Sequence, residues 1–147
     1  MEPERVLAEY GLEAAILRVQ EAQIDVVRFT HLAPLAEALM WVYALHEWHR
    51  HQLGNSVFFA ECGDQGPAVP AIVWARGKVQ HHIADVTRIL DGRIDWVPLD
   101  LMAAYRNSGS DRFNRDGMYR QHVAARPIAE PLLEAYQFFL TLPDNAS

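Results

Sequence analysis

The run Pro34-Leu35-Ala36-Glu37-Ala38-Leu39-Met40-Trp41-Val42-Tyr43-Ala44-Leu45-His46-Glu47-Trp48-His49-Arg50-His51-Gln52-Leu53 decides how this chain folds. It contains no glycine and no internal proline, and Leu35, Leu39, Met40, Trp41, Val42, Leu45 and Trp48 carry apolar character most of the way round a helix. A helix that is apolar on nearly every side must be covered on nearly every side, so this segment reads as the central helix of a bundle. Pro34 suits the first helical position through its fixed φ, and Gly54 supplies a C-terminal stop.

Upstream, Val6, Leu7, Tyr10, Ala14, Leu17 and Ile24 recur at three- and four-residue spacing, which predicts a helix from Glu4 to about Gln23 with a weak point at Gly11. Residues 25–30 are rich in β-branched side chains and read as an extended connection. Downstream, Gly54, Asn55, Gly63, Asp64, Gly66 and Pro67 predict a long loop over 54–69, tethered to the core by Val57-Phe58-Phe59-Ala60. Pro70 then opens a third helix, whose stripe is Ile72, Ala75, Val79, Ile83, Val86 and Leu90 and which Asp91-Gly92 closes. Ile94 to Leu99 reads as an irregular connection, 100–106 as a short helix, and 107–117 as a flexible polar loop. Met118 to Ala124 supplies a turn or two, and a last helix runs from about Pro127 to Leu142, with Pro131 near its start. The expected fold is all-α: one helical domain over 1–147, a bundle of four main helices, up to five, with a long loop after the second.

Length and composition bound the function. A chain of 147 residues, half of them hydrophobic, builds one sizeable core. No run approaches the roughly 20 apolar residues that span a bilayer, and Met1-Glu2-Pro3-Glu4 is acidic where a signal peptide is basic. No membrane association and a cytoplasmic location are therefore expected. The single Cys62 excludes an intrachain disulfide and a thiolate-rich zinc site, so any metal would need His and carboxylate ligands. No cofactor is expected. A net charge of −6 argues against a general nucleic-acid-binding surface. The charge is uneven, however: residues 71–126 hold nine Lys or Arg against six acids, which allows a local anionic ligand.

Two constellations carry chemistry. In the central helix His46 and His49 share the stripe of Leu35, Leu39, Val42 and Leu53, so two imidazoles are expected on the inward side, where buried rings need partners. Arg50 replaces the second histidine of a His-Glu-x-x-His zinc motif, but the pair at i, i+3 can still ligate a metal with a third ligand such as His82, His122 or Glu61. The second constellation is Trp74-Ala75-Arg76-Gly77-Lys78-Val79-Gln80-His81-His82, which puts a permanent cation and groups that titrate near neutrality on one short element. That equipment holds a phosphate and moves a proton. On a continuous helix Arg76 and His81 stand about 140° apart with a rise of about 7.5 Å, too far round for one helix to close both on a single phosphate. A cleft shared by two copies across a symmetric interface would bring them together.

Arg-x4–6-His on a late helix of a small all-α bundle resembles the signature of the HEPN (higher eukaryotes and prokaryotes nucleotide-binding) superfamily. The resemblance covers these residues and the helical layout. It implies a homodimeric, metal-independent ribonuclease, or an RNA- or nucleotide-binding relative, with the site in the dimer cleft. Arg76 would bind the scissile phosphate, and His81 or His82 would act as general base or acid at the ribose 2′-hydroxyl. Apart from the resemblance, if the third helix packs on the second, His46 or His49 would assist Arg76 in the same cleft. The family pattern favours a polar residue after the arginine, and here it is Gly77. A toxin-like member of the family implies a neutralising antitoxin partner. Two other classes compete with this reading. One is a non-catalytic interaction bundle that binds a protein partner through a Trp-rich surface and acidic ends, and the other is a metalloprotein built on His46 and His49. Trp74 beside Arg76 is expected either in the core or at a dimer face, where it would stack on a base.

Overall fold

The computed structural model describes residues 2–22, 29–79, 82–98 and 114–143. Along these run α1 (Pro3–Glu21), α2 (Leu32–Leu53), α3 (Asn55–Gln65), α4 (Ala68–Val79), a 3-10 turn (Ile83–Val86), β1 (Thr87–Leu90), β2 (Arg93–Trp96), α5 (Arg115–His122) and α6 (Ala129–Thr141). The chain is mostly helical, as its patterning requires, and no helix among the described residues is long and apolar enough to cross a membrane.

The central helix is where the sequence puts it. α2 buries Leu35, Ala38, Leu39, Val42, Leu45, His46 and His49 and is flanked by α1, α4 and α6. Pro34 sits in its first turn, where a missing N–H costs no helical bond. Gly11 does not divide α1. Trp41 of α2 lies so close that a Cβ at residue 11 would run into the indole, so the glycine is there for close approach. That seam also reverses the expected face of α1. The helix buries Ala8, Leu12, Ala15, Ile16 and Val19, whereas the expected stripe leaves Leu7 62%, Tyr10 70% and Leu17 49% exposed. α1 is apolar on two opposite faces, and the face with Ala8, Gly11 and Ala15 lets α2 approach more closely.

Three further expectations are corrected. The long loop after the second helix is largely helix α3, because Phe58 and Cys62 stand one turn apart and both are buried. Gly54, at φ +83, breaks α2 from α3, and Gly66 ends α3 with its backbone against the Phe138 ring. Six helices are therefore described where four or five are expected. The third helix does not run on to Leu90. α4 stops at Val79, and beyond the 3-10 turn Thr87-Arg88-Ile89-Leu90 and Arg93-Ile94-Asp95-Trp96 pair as an antiparallel hairpin, Thr87 opposite Trp96 and Leu90 opposite Arg93. Its tip, Asp91-Gly92, has both residues at positive φ (53° and 73°), the two-residue turn whose twist matches the strands. Ile94 to Trp96 is thus strand, not an irregular connection. The hairpin is held by the stretch before α6: Ile128 N–H donates to Ile94 O (3.0 Å), Trp96 N–H to Arg126 O (2.9 Å), Ala125 N–H to Trp96 O (2.9 Å), and the Trp96 indole to Ile128 O (2.9 Å).

The last helix starts at Ala129, late enough that Pro131 falls in its first turn. Of the polar loop expected over 107–117, Arg115 to Gly117 form the start of α5, and 107–113 lie outside the described residues, as do the expected short helix over 100–106 and residues 25–28 of the expected extended connection.

Candidate functional site

α4 is the most enclosed helix, with every residue from Ala68 to Ala75 buried, and Arg76 is where it emerges. The half-buried Arg76 side chain lies back against α2, its guanidinium carbon 4.7 Å from the centre of the Tyr43 ring. Tyr43 is 39% exposed, so the ring supports the cation from one side and leaves the other to solvent. Arg5, Arg18, Arg50, Arg93 and Arg126 each pair with a carboxylate, of Glu9, Glu37, Glu47, Asp95 and Glu134 respectively. No carboxylate of the described residues pairs with Arg76, so its N–H donors are available to an incoming anion. Lys78 adds a second positive charge, its Nζ 5.9 Å from the centre of the Trp74 ring. Gly77 between them is exposed, with nothing within 4 Å of where a Cβ would stand.

Of the expected partners, His81 lies outside the described residues. His82 is exposed. Its N–H donates to Val79 O (2.8 Å), and its carbonyl accepts from Asp85 N–H (2.9 Å) at the start of the 3-10 turn. Among the described residues α4 ends at Val79, so His82 does not share a continuous helix with Arg76. Trp74 is 6% exposed and packs on Tyr119 with ring centres 5.5 Å apart, so it is a core residue and not a platform for a base. Trp96 is fully buried too, whereas Trp41 and Trp48 on α2 are partly exposed.

His46 and His49 point inward as expected, into different surroundings. The His46 ring meets the rings of Phe58 and Phe59 edge-on at 5.0 and 5.8 Å, with Nδ1 3.2 Å from Glu47 Oε1 and no hydrogen-bond partner for Nε2 among the described residues. Burial pushes its pKa down to about 4, against the weaker opposite pull of Glu47. The His49 ring stacks on Phe139 at 5.5 Å with a 9° interplanar angle, and meets Trp48 edge-on at 4.9 Å. Neither imidazole hydrogen-bonds to Arg76. Among the described residues no three or more His, Cys, Asp or Glu side chains are arranged to hold a metal ion, so His82, His122 and Glu61 do not complete a ligand set with the pair. Cys62 is buried in α3, where burial pushes its thiol up to about 12 and removes the thiolate needed for nucleophilic work.

Sequence reasoning misses Tyr43, because nothing in the spacing of one helix shows which residue of another will lie under Arg76. It also misses the Glu47-Arg50 pair, in which Glu47 accepts from both Arg50 and, at Nδ1, His46; the i, i+3 spacing of opposite charges was the available signal. Searches of protein-family models, of curated proteins and of solved structures return no match to this chain.

Proposed function

We infer that the protein binds RNA at the exposed end of α4 and, as a homodimer, cleaves it without a metal, as the HEPN-like motif implies. One observation carries the reading: Arg76 is a guanidinium held in place by Tyr43 and left without a carboxylate among the described residues. An arginine so placed offers a planar fork of donors to a phosphodiester at little cost in side-chain ordering. Lys78 adds charge on the same turn, consistent with a local anionic site on an otherwise acidic chain.

In this reading Arg76 grips the scissile phosphate and neutralises the charge that builds on its oxygens. His81 takes the proton from the ribose 2′-hydroxyl, whose oxygen attacks phosphorus. The 5′ oxygen leaves with a proton from the histidine of the second copy, giving a 2′,3′-cyclic phosphate and a 5′-hydroxyl. His82 is the alternative base. The experiment is cleavage of a labelled RNA by untagged protein in EDTA, alongside the solution mass. Arg76→Ala is expected to lower cleavage by at least about 100-fold, the scale of a lost transition-state donor, while the circular dichroism spectrum is unchanged. Cleavage that survives both Arg76→Ala and His81→Ala, or a monomer that cleaves as fast as the parent, would overturn the reading.

A further inference from the structure

The face of α1 that turns away from α2 is apolar, and it does not stop at that helix. Leu7, Tyr10, Ala14 and Leu17 recur at three- and four-residue spacing along it, the seam spacing of helices that pack on other helices. The Tyr136 hydroxyl of α6 donates to Glu13 Oε2 (2.6 Å), which ties α6 alongside. One turn to either side of Tyr136, Leu133 and Leu140 are 40% and 53% exposed, so the apolar strip continues across both helices. Five large apolar side chains on one outer face exceed the scattered exposure normal for a monomer.

The charges round this strip select its occupant. α1 and α6 carry six glutamates against two arginines; Glu9, Glu13 and Glu134 are engaged by Arg5, the Tyr136 hydroxyl and Arg126, and Arg18 is engaged with Glu37, which leaves Glu4, Glu21 and Glu130 to make the rim negative. A second copy of this chain would set those carboxylates against their own images, which is repulsive. A helix with leucine-like residues on one side and lysine or arginine on the other matches both the strip and its rim. The face is also separate from the Arg76 site: α1 packs at Trp41 and Arg76 over Tyr43, about 160° apart round α2.

We propose that the outer face of α1 and α6 docks a basic amphipathic helix of another polypeptide. The side chains of Leu7, Tyr10, Leu17, Leu133 and Leu140 supply the apolar contact, and the flanking glutamates set its orientation and exclude acidic helices.

The test uses the full chain and a labelled peptide of about 18 residues, long enough for five helical turns, with leucine at i, i+3, i+4 and i+7 and lysine on the remaining face. Fluorescence anisotropy is expected to show micromolar-range binding that weakens as salt is raised. A peptide with glutamate in place of every lysine should bind at least about tenfold more weakly, a difference of about 1.4 kcal/mol. Leu7→Ser combined with Leu17→Ser, at exposed positions that leave the core intact, should weaken the lysine peptide similarly, and Arg76→Ala should leave it unchanged. Equal affinity for the two peptides, or full affinity in the double variant, would overturn the proposal. So would a dimeric solution mass that the double variant makes monomeric, since the strip would then belong to a second copy.

Discussion

The inner face of α2 and the outer end of α4 both carry basic side chains inside an apolar run, imidazoles in one and Arg76 with Lys78 in the other, and they behave oppositely. At His46 and His49 imidazoles are enclosed by Phe58, Phe59 and Phe139, with the His46 charge suppressed by burial. At Arg76 a half-buried cation rests on one aromatic ring and has no carboxylate partner among the described residues. Both segments show polar side chains at helical spacing inside an apolar run. What separates them is the number of sides on which they are covered, and that is a property of the assembled bundle. A titratable residue in a helix motif therefore becomes a candidate for chemistry once its helix leaves the core, as α4 does at Arg76.

The largest test of this contrast is pH. Burial pushes the His46 pKa down to about 4 from its ordinary 6.5, so below about 6.5 the unfolded chain takes up a proton that the folded chain refuses. Stability from this group is complete above about pH 6.5 and falls as pH drops towards 4, by about 3 kcal/mol in order of magnitude. Urea unfolding at pH 7.5 and pH 4.5 is expected to show a correspondingly shallower loss in His46→Leu than in the parent. Equal losses would mean that the inner face of α2 is as open to protons as the end of α4.

Next in size is the seam that closes α2. Gly11→Ala forces a methyl into the Trp41 indole and should cost about 1–3 kcal/mol in a urea titration. An unchanged midpoint would show that α1 can shift away from α2 without loss. At the open end the expected cost is smaller. Arg76→Ala gives up a single cation–π contact at a half-exposed site, about 0.5–1 kcal/mol. Activity and stability should therefore separate there, whereas at His46 a substitution moves stability alone.

Much of this was legible in residue order, for identifiable reasons. The all-round apolar run fixed α2 as the centre, and the two histidines on its buried stripe were placed correctly. The hairpin was misread although Thr87-Arg-Ile-Leu-Asp-Gly-Arg-Ile-Asp-Trp96 carries its signal, two short strands about an Asp-Gly turn. Helical spacing at Val79, Ile83, Val86 and Leu90 masked it, a coincidence of period in a segment too short to discriminate. α3 is hidden by the glycines at 54, 63 and 66, of which only Gly63 lies within the helix, where its cost is outweighed by the burial of Phe58 and Cys62. The face of α1 was undecidable from periodicity, because both faces are apolar and the choice depends on how closely Gly11 lets Trp41 approach. At the candidate site Arg76 was legible as a residue type. Its support by Tyr43 was not, since it arises between helices.

An effect of the same size and opposite sign probes the open end most directly. Gly77 is exposed within α4, between Arg76 and Lys78, and nothing lies within 4 Å of where its Cβ would be. A glycine at such a position costs helical stability because its backbone is freer in the unfolded chain, and no close approach compensates, as one does at Gly11. Gly77→Ala should therefore stabilise the fold by about 0.5–1 kcal/mol, read as a rise in the urea midpoint. It should leave Arg76 on Tyr43, so RNA cleavage should persist in the variant. A destabilised Gly77→Ala would place another surface against this turn, and the end of α4 would then be as enclosed as the inner face of α2.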